Sequence, residues 1–163
     1  MSIAQGSAQP AAGGVPAAPG SFRAPRLAHA RVEDAMHPGL ISVPAQTPLR
    51  DVARILATRH IHCVVVRGAP QAGAREAWAL ISALDLVRVA GGGEAAWLEE
   101  RTAGEVAVQS PPTVSSDERL ERAAQLMAEH GTEHLIVVGA EHGRPVGLLS
   151  TLDLCGVMAW GEA

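Results

Sequence analysis

Two Ser-x-x-Asp stretches contain the residues best suited to chemistry. Ser82 precedes Asp85, and Ser150 precedes Asp153, each after a short apolar run. Such a pair suits the start of a helix, because the Ser oxygen accepts an early backbone N–H and the Asp charge complements the helix dipole. The same groups can bind a ligand, since a carboxylate accepts hydrogen bonds from hydroxyls and free N–H groups at a helix start favour anions. Two occurrences at predicted strand-to-helix junctions favour a binding role in addition to capping.

A second group of reactive side chains is His60, His62 and Cys63. His-x-His on a strand places both imidazoles on one face, which can begin a metal site. A tetrahedral site needs further ligands, and the remaining candidates are His130, His134, His142 and Cys155. With seven histidines in the chain, chance clustering is the simpler interpretation, so we expect no metal. Two cysteines also do not indicate a disulfide framework.

The elements that must position the Ser-x-x-Asp pairs occur twice. At an offset of 71 residues, Leu49, Ala53, Ile55 and Val66 recur as Leu120, Ala124, Leu126 and Val137, and the Ser and Asp recur at an offset of 68. Apolar spacing in each copy predicts a strand, a helix, two strands and a second helix. The predicted fold is therefore α+β, with two tandem β-α-β-β-α repeats. One copy alone would bury little surface, so the two are expected to pack together.

Local signals predict where these elements begin. Thr47 is the expected N-cap of the first long helix, with Pro48 at its first position. Ser115 and Glu118 are expected to form a capping box before the matching helix in the second copy. The predicted strands are "LISV", 62–66 and 77–81 in copy one and "PTV", 134–138 and 145–149 in copy two. Asp34 and Glu105 are interpreted as charges at helix starts.

Composition sets the domain boundaries. Residues 1–26 contain mostly Ala, Gly, Pro, Ser and Gln, which predicts a disordered tail. Repeat one is assigned to 27–90, a Gly-containing linker to 91–102 and repeat two to 103–163.

Bulk properties exclude several classes of function. A net charge of -4 with one Phe, three Trp and no Tyr argues against nucleic acid as a partner. No apolar run approaches the ~20 residues needed to span a bilayer, and the start of the chain does not match a secretory signal. The expected location is the cytoplasm, without membrane contact. No nucleophile elbow or phosphate-binding Gly-Lys-Ser/Thr loop occurs, so we expect no enzyme activity.

The signatures resemble those of the CBS-domain family, named after the cystathionine-β-synthase domain. Residues 147–153, "GLLSTLD", match the family's Gly-apolar-apolar-Ser/Thr-x-x-Asp ending, and copy one differs by having Ala79 at the Gly position. "VEDAM" (32–36) and "AGEVAV" (103–108) stand where the family has its opening motif. The resemblance covers about residues 30–160 and implies two repeats related by pseudo-twofold symmetry. It also implies a homodimer.

Family resemblance further implies an adenosine-type ligand such as AMP, ADP, ATP or S-adenosylmethionine, bound between the repeats. Ser150 and Asp153 would share a cleft with Ile41, Ser42 and Val43. Ser82 and Asp85 would share one with Pro112, Thr113 and Val114. The Asp153 cleft is the better-preserved one.

The sequence departs from the resemblance at the phosphate positions. The two positions just before the central strand hold His62 and Cys63 in copy one, and Glu133 and His134 in copy two. A neutral Leu precedes the Asp of each Ser-x-x-Asp pair. Glu133 would repel a phosphate if it faced the cleft. Three explanations follow: the ligand carries little charge, His62, His134 or Arg144 compensates, or one site is vacant.

Two hypotheses for function result. The first is a non-enzymatic regulatory module that binds an adenosine-type ligand and signals through an effector protein or its own dimer. The alternative is an interaction or scaffold protein with the same fold, whose clefts are empty or hold a metal.

Overall fold

The computed structural model describes residues 25–68, 78–92 and 97–161. The disordered tail predicted for 1–26 lies outside the described residues apart from its last two. Residues 93–96 of the predicted linker, residue 77 of a predicted strand and the last two residues of the chain also lie outside them. Within the described part of the chain, no helix has the length and apolar character needed to cross a membrane.

The helices and strands follow the tandem order that the sequence predicts, with short additional elements at the start of each repeat. The helices are α1 (Val32–Ala35), α2 (Leu49–Arg59), α3 (Ala83–Ala90), α4 (Trp97–Glu100), α5 (Ala103–Val106), α6 (Leu120–His130) and α7 (Thr151–Trp160). The strands are β1 (His37–Pro38), β2 (Ser42–Pro44), β3 (Cys63–Arg67), β4 (Trp78–Ser82), β5 (Val108–Gln109), β6 (Thr113–Ser115), β7 (His134–Val138) and β8 (Pro145–Ser150).

The strands form two four-stranded sheets of the same topology. One has the order β2-β3-β4-β5, and the other has the order β1-β8-β7-β6. Each sheet contains one parallel pair, β2 with β3 in one sheet and β6 with β7 in the other. The other pairs are antiparallel. The predicted pair of α+β repeats is confirmed.

The repeats exchange their opening segments, which the sequence did not predict. β1 belongs to repeat one but pairs with β8 of repeat two, and β5 of repeat two pairs with β4 of repeat one. Backbone hydrogen bonds from Val32 to Glu118 and from Ala103 to Thr47 hold the two exchanged segments in place. We call each sheet with the helices packed on it a lobe. Each lobe is therefore completed by residues from the other repeat.

Three apolar cores hold the lobes together. Two of them lie between a sheet and its helices, around Leu49 and Ile81 in one lobe and Leu120 and Leu149 in the other. The third core lies between the sheets and contains Cys63, Val65, Leu80 and Ile136. Side chains alternate along β3, so Val64 and Val66 face a lobe core while Cys63 and Val65 face the other repeat.

The predicted N-caps of the two long helices are wrong. α2 begins at Leu49 with Pro48 as its N-cap, and α6 begins at Leu120 with Arg119 as its N-cap, neither with a side-chain capping bond. The exchanged segments explain the difference, because Leu49 N donates to Arg101 O and Leu120 N donates to Ala30 O. Backbone carbonyls from segments that precede the other repeat's exchanged helix thus satisfy donors that a side-chain cap would otherwise satisfy.

The capping roles predicted for the acidic residues of the short helices are confirmed. Asp34 and Glu105 are the N3 residues of α1 and α5, and their carboxylates accept the N-cap backbone N–H. In α5 this contact is to Thr102 N at 2.6 Å, and together with the Thr102 hydroxyl it lowers the pKa of Glu105.

Candidate functional site

The Ser-x-x-Asp pairs form capping boxes where β4 meets α3 and where β8 meets α7. Asp153 Oδ2 accepts the Ser150 N–H and the Ser150 hydroxyl, both at 2.7 Å, and Asp153 N donates to Ser150 Oγ at 3.3 Å. Asp85 Oδ2 accepts the Ser82 N–H at 2.8 Å and the Ser82 hydroxyl at 2.7 Å. One oxygen of each carboxylate is thus committed to the fold, and only the other oxygen is available for further contacts.

The second oxygen of each carboxylate lies beside a basic side chain. His37 Nε2 is 2.9 Å from Asp153 Oδ1, and the nearest Arg88 nitrogen is 3.3 Å from Asp85 Oδ1. The carboxylate side chains are 11% and 14% exposed, whereas His37 and Arg88 are 78% and 68% exposed. Both basic groups therefore lie on the solvent side and can move away when another donor arrives.

The two basic partners come from positions that are not equivalent in the repeats. Arg88 lies one helical turn after Asp85, but the matching position in α7 is the buried Gly156. His37 arrives on the exchanged strand β1, and its counterpart on β5 is Val108. Sequence reasoning missed both contacts. The spacing of Arg88 from Asp85 could have revealed the first, whereas the second depends on the strand exchange.

The larger inter-repeat cavity, which we call the Asp153 cleft, has a volume of about 570 Å³. That volume is in the range of small-molecule sites, roughly 300–1,000 Å³. Ser150 and Asp153 stand at one side, and the apolar lining includes Leu40, Ile41 and Leu148. The cleft thus combines hydrogen-bonding groups at a helix start with an apolar wall.

The smaller cavity, the Asp85 cleft, has a volume of about 290 Å³. Ser82, Asp85 and Pro112 line it, together with Arg88 and Glu133. A neighbouring cavity of about 340 Å³ shares Ser110 and Pro111 with it.

The predicted site residues are distributed over the clefts, the neighbouring cavity and positions outside them. Ser150, Asp153, Ile41 and His62 line the Asp153 cleft, Ser82, Asp85 and Pro112 line the Asp85 cleft, and His134 lines both. Thr113 lines the neighbouring cavity. The others lie elsewhere: Ser42 is half-buried on β2 outside the cleft linings, Val43 and Val114 are buried in the lobe cores, and Arg144 lines neither cleft.

Burial controls the ionisation of two cleft residues. Desolvation is the largest cause of the lowered pKa of His134; the neighbouring Glu133 acts in the opposite direction, and His62 reinforces the lowering. Burial, with a smaller contribution from Asp153, raises the pKa of the Cys63 thiol to about 12. At neutral pH both side chains are therefore uncharged on the floor of the Asp153 cleft.

The histidines and cysteines considered as metal ligands do not come together within the described residues. Among residues 25–68, 78–92 and 97–161, no group of three or more His, Cys, Asp or Glu side chains is placed to hold a metal ion. His60 and His62 line the Asp153 cleft, whereas His130 lines the Asp85 cleft.

Comparisons with known proteins agree with this architecture. A family model for the CBS domain matches twice, at residues 32–91 and 103–159. A search of curated protein sequences finds no match. Among similar solved structures, the chain covers from 66% to 96% of the other protein's length.

Similar solved structures include several with a bound molecule or ion, and three of them illustrate the range. PAE2072 from Pyrobaculum aerophilum, a CBS domain protein complexed with AMP, is 29% identical with a TM-score of 0.62, covering 77% of this chain and 90% of that one. The CBS domain pair of MJ0100, complexed with 5-methylthioadenosine and S-adenosyl-L-methionine, is 18% identical with a TM-score of 0.62, covering 77% and 96%. Hypoxic Response Protein I, with two coordinated zinc ions, is 21% identical with a TM-score of 0.58, covering 77% and 96%.

The two family matches account for both repeats, including the two Ser-x-x-Asp boxes and the segments that the repeats exchange. This chain belongs to the CBS domain family, as a tandem pair.

Proposed function

We propose that the chain is a non-enzymatic regulatory module that binds an adenosine-type ligand in the Asp153 cleft. The observation that carries the proposal is that Asp153 lines a cavity of about 570 Å³ while its Oδ2 is held by the Ser150 capping box, which leaves Oδ1 for His37 or for a ligand. A carboxylate fixed in this way can accept a ribose hydroxyl without reorganising. The AMP complex of the 29% identical PAE2072 supports the same ligand class.

The Asp153 cleft suits an adenosine-type ligand better than the Asp85 cleft does. The Asp153 cleft is about 570 Å³ against about 290 Å³. Its apolar lining offers a surface for a base, and Ser150 and Asp153 offer acceptors for a ribose. In the Asp85 cleft, Arg88 is paired with Asp85, and Glu133 adds a further negative charge that weakens the attraction for a phosphate.

The ligand must compete with His37 for Asp153 Oδ1. Because His37 is 78% exposed, its contact with Asp153 is worth little, of the order of 0–1 kcal/mol. A ribose hydroxyl that replaces it therefore gives up little, and a shift of His37 on β1 is one way for binding to reach the rest of the fold.

Signalling requires a surface that another molecule can contact. Leu84 and Val87 on α3 and Leu152 and Met158 on α7 are exposed, at 43%, 63%, 69% and 61%. We propose that these helix faces form a homodimer or bind an effector protein. Leu152 also lines the Asp153 cleft, so a ligand that contacts it would have a different affinity for the free and assembled states.

The alternative, a scaffold without a ligand, draws support from the same contacts. Both carboxylates already have protein partners on both oxygens, so neither requires a ligand to be satisfied. A zinc-holding version has a parallel in the zinc-containing Hypoxic Response Protein I, but among the described residues of this chain no group of three His, Cys, Asp or Glu side chains is placed to hold the ion.

Titration calorimetry with AMP, adenosine, S-adenosylmethionine and zinc on the wild type, Asp153→Asn and Asp85→Asn tests the proposal. Asn keeps the shape of the side chain and an amide oxygen for the Ser N–H, so both variants should fold. We expect Asp153→Asn to weaken binding about tenfold or more, which corresponds to a lost charge-assisted hydrogen bond. Asp85→Asn is the matched control and should bind as the wild type does.

Four outcomes would contradict the proposal. Equal affinity of the wild type and Asp153→Asn would remove Asp153 from the ligand site. A loss of binding confined to Asp85→Asn would move the site to the other cleft. The absence of any adenosine response in the wild type would favour the scaffold, and a response to zinc alone would favour the metal-holding version.

A further inference from the structure

His134 is a buried polar residue whose imidazole has no hydrogen-bond partner in the described part of the chain. The residue is 7% exposed, and no other polar or charged residue within 25–68, 78–92 and 97–161 is buried. Its backbone is satisfied, because Thr132 Oγ1 donates to His134 O at 3.0 Å and His134 pairs with Ser150 in the sheet. Buried polar groups are normally hydrogen-bonded, so the free imidazole is available to a molecule that enters a cleft.

The imidazole lies where the two clefts meet. Among the described residues, His134 is the one that lines both clefts, whereas Cys63, its counterpart in repeat one, lines the Asp153 cleft alone. Burial is the largest cause of the lowered pKa of His134, and the carboxylates of both Asp153 and Asp85 act in the opposite direction. A ligand in either cleft can therefore reach the same side chain.

A neutral imidazole has a separate hydrogen-bonding atom for each cleft. One ring nitrogen carries a proton and donates, and the other nitrogen accepts. The partner of one nitrogen fixes which of them holds the proton, and a nitrogen that donates makes the other a better acceptor. A bond formed on one side of the ring thus prepares the bond on the other side.

The Asp85 cleft has the groups and the space for a second ligand of the same class. Its capping box matches that of the Asp153 cleft, with one carboxylate oxygen committed to the fold. It shares Ser110 and Pro111 with the neighbouring cavity of about 340 Å³, which extends the space beyond its own 290 Å³. Because Glu133 disfavours a negative charge there, uncharged adenosine is the probe that suits both clefts.

We propose that His134 couples the two clefts, so that an adenosine-type ligand in the Asp153 cleft raises the affinity of the Asp85 cleft for a second one. The coupling rests on the proposed function and adds a regulation of the same site. Its sign is positive because a ribose hydroxyl can donate or accept, and the second ligand meets an imidazole that is already oriented. By linkage, a ligand in the Asp85 cleft strengthens binding in the Asp153 cleft by the same factor.

Titration calorimetry with adenosine measures this coupling. The affinity of the Asp85 cleft is taken from the second binding event of the wild type and from Asp153→Asn, in which the other cleft is weakened. We expect binding in the wild type to be about fivefold tighter, at the lower end of couplings between sites. When both proteins also carry His134→Cys, the two affinities should agree within about twofold.

Two further variants separate the ring nitrogens from the shape of the site. His134→Phe keeps a planar ring without nitrogens and should lose the coupling as His134→Cys does. Cys63→Ala changes the counterpart that lines one cleft alone and should keep the coupling. Nitrogen NMR of His134 adds a direct measurement: the ring nitrogens should be averaged in the ligand-free protein, and adenosine should resolve them into one protonated and one unprotonated signal.

The outcomes distinguish this proposal from the one on which it rests. If the wild type binds adenosine in the Asp153 cleft but its Asp85 cleft binds no second adenosine or gains no affinity, the coupling is refuted while the ligand site stands. The same holds if His134→Cys keeps the gain, because another group would then connect the clefts. Ring-nitrogen signals that do not respond to adenosine would rule out a bond to the imidazole. A wild type that binds no adenosine compound overturns both proposals.

Discussion

The exchange of the opening strands can be tested at Gly147, which lies on β8 opposite Pro38 of β1. A Cβ built at Gly147 would lie 2.5 Å from His37 O and 3.2 Å from the Met36 sulfur. The first contact is with backbone, so no side-chain rotation can relieve it, and β1 must move away from β8. In copy one the matching residue is Ala79, which is fully buried opposite Gln109, so that lobe accommodates a methyl group.

The expected cost of Gly147→Ala follows from this contact. Forcing extra atoms into packed structure typically costs about 1–3 kcal/mol. For a chain of this size each kcal/mol lowers the melting temperature by about 2–4 °C. Because β1 carries His37 towards Asp153 and leads into the wall of the Asp153 cleft, AMP affinity should fall as well.

Chemical denaturation followed by circular dichroism measures the change in unfolding free energy, with Gly139→Ala as the control. A Cβ at Gly139 has its nearest contact at 3.2 Å with a Val146 methyl, which can shift, so we expect a smaller loss than at Gly147. If Gly147→Ala unfolds within about 0.5 kcal/mol of the wild type, β1 does not lie against β8 as described and the strand exchange is in doubt.

Other measurable consequences concern buried groups and a tight contact between the repeats. Because folding lowers the pKa of His134, the unfolded state binds more protons, and the free energy of unfolding should fall as the pH drops below about 6.5. The variant His134→Cys, which places the residue of repeat one at this position, should reduce that loss in denaturation curves measured from pH 7.5 to 5. The buried Cys63 thiol has a pKa of about 12, so it should resist alkylation by iodoacetamide at pH 8 in the native protein, whereas the exposed Cys155 should react. Peptide mass spectrometry measures the labelling of each cysteine, and equal labelling would place Cys63 at the surface. Gly104→Ala would bring a Cβ to 2.9 Å from the Ala45 Cβ and should cost about 1–3 kcal/mol by denaturation, and an unchanged midpoint would contradict the packing of α5 on the first lobe.

The sequence predicts the elements well because their signals are local. The helical spacing around Leu49 and Leu120 and the β-branched runs before Arg67 and after His134 identify the main helices and strands, and the Ser-x-x-Asp boxes lie where they were expected. Offsets of 71 and 68 residues then indicate that one unit occurs twice.

The exchange of opening segments could not be predicted because its signals are not local. β1 and β5 have two residues each, too few for a periodic pattern, and their pairing partners lie in the other repeat. The wrong N-caps have the same origin, since the donors of Leu49 and Leu120 find carbonyls that are distant in sequence. His37 was missed as a cleft residue for the same reason.

Comparison of the two repeats shows where duplicated positions have kept their role and where they have diverged. The Ser and Asp of each capping box are retained, and both carboxylates use one oxygen in the same way. The other polar and titratable positions around the clefts differ, and the matched pairs are His37 with Val108, His60 with Gly131, His62 with Glu133, Cys63 with His134 and Arg88 with Gly156. Pseudo-symmetry of the backbone therefore does not extend to the chemistry of the clefts. A ligand with a defined charge and shape cannot suit both equally, so differential affinity of the two clefts follows from the side chains even though the fold is repeated.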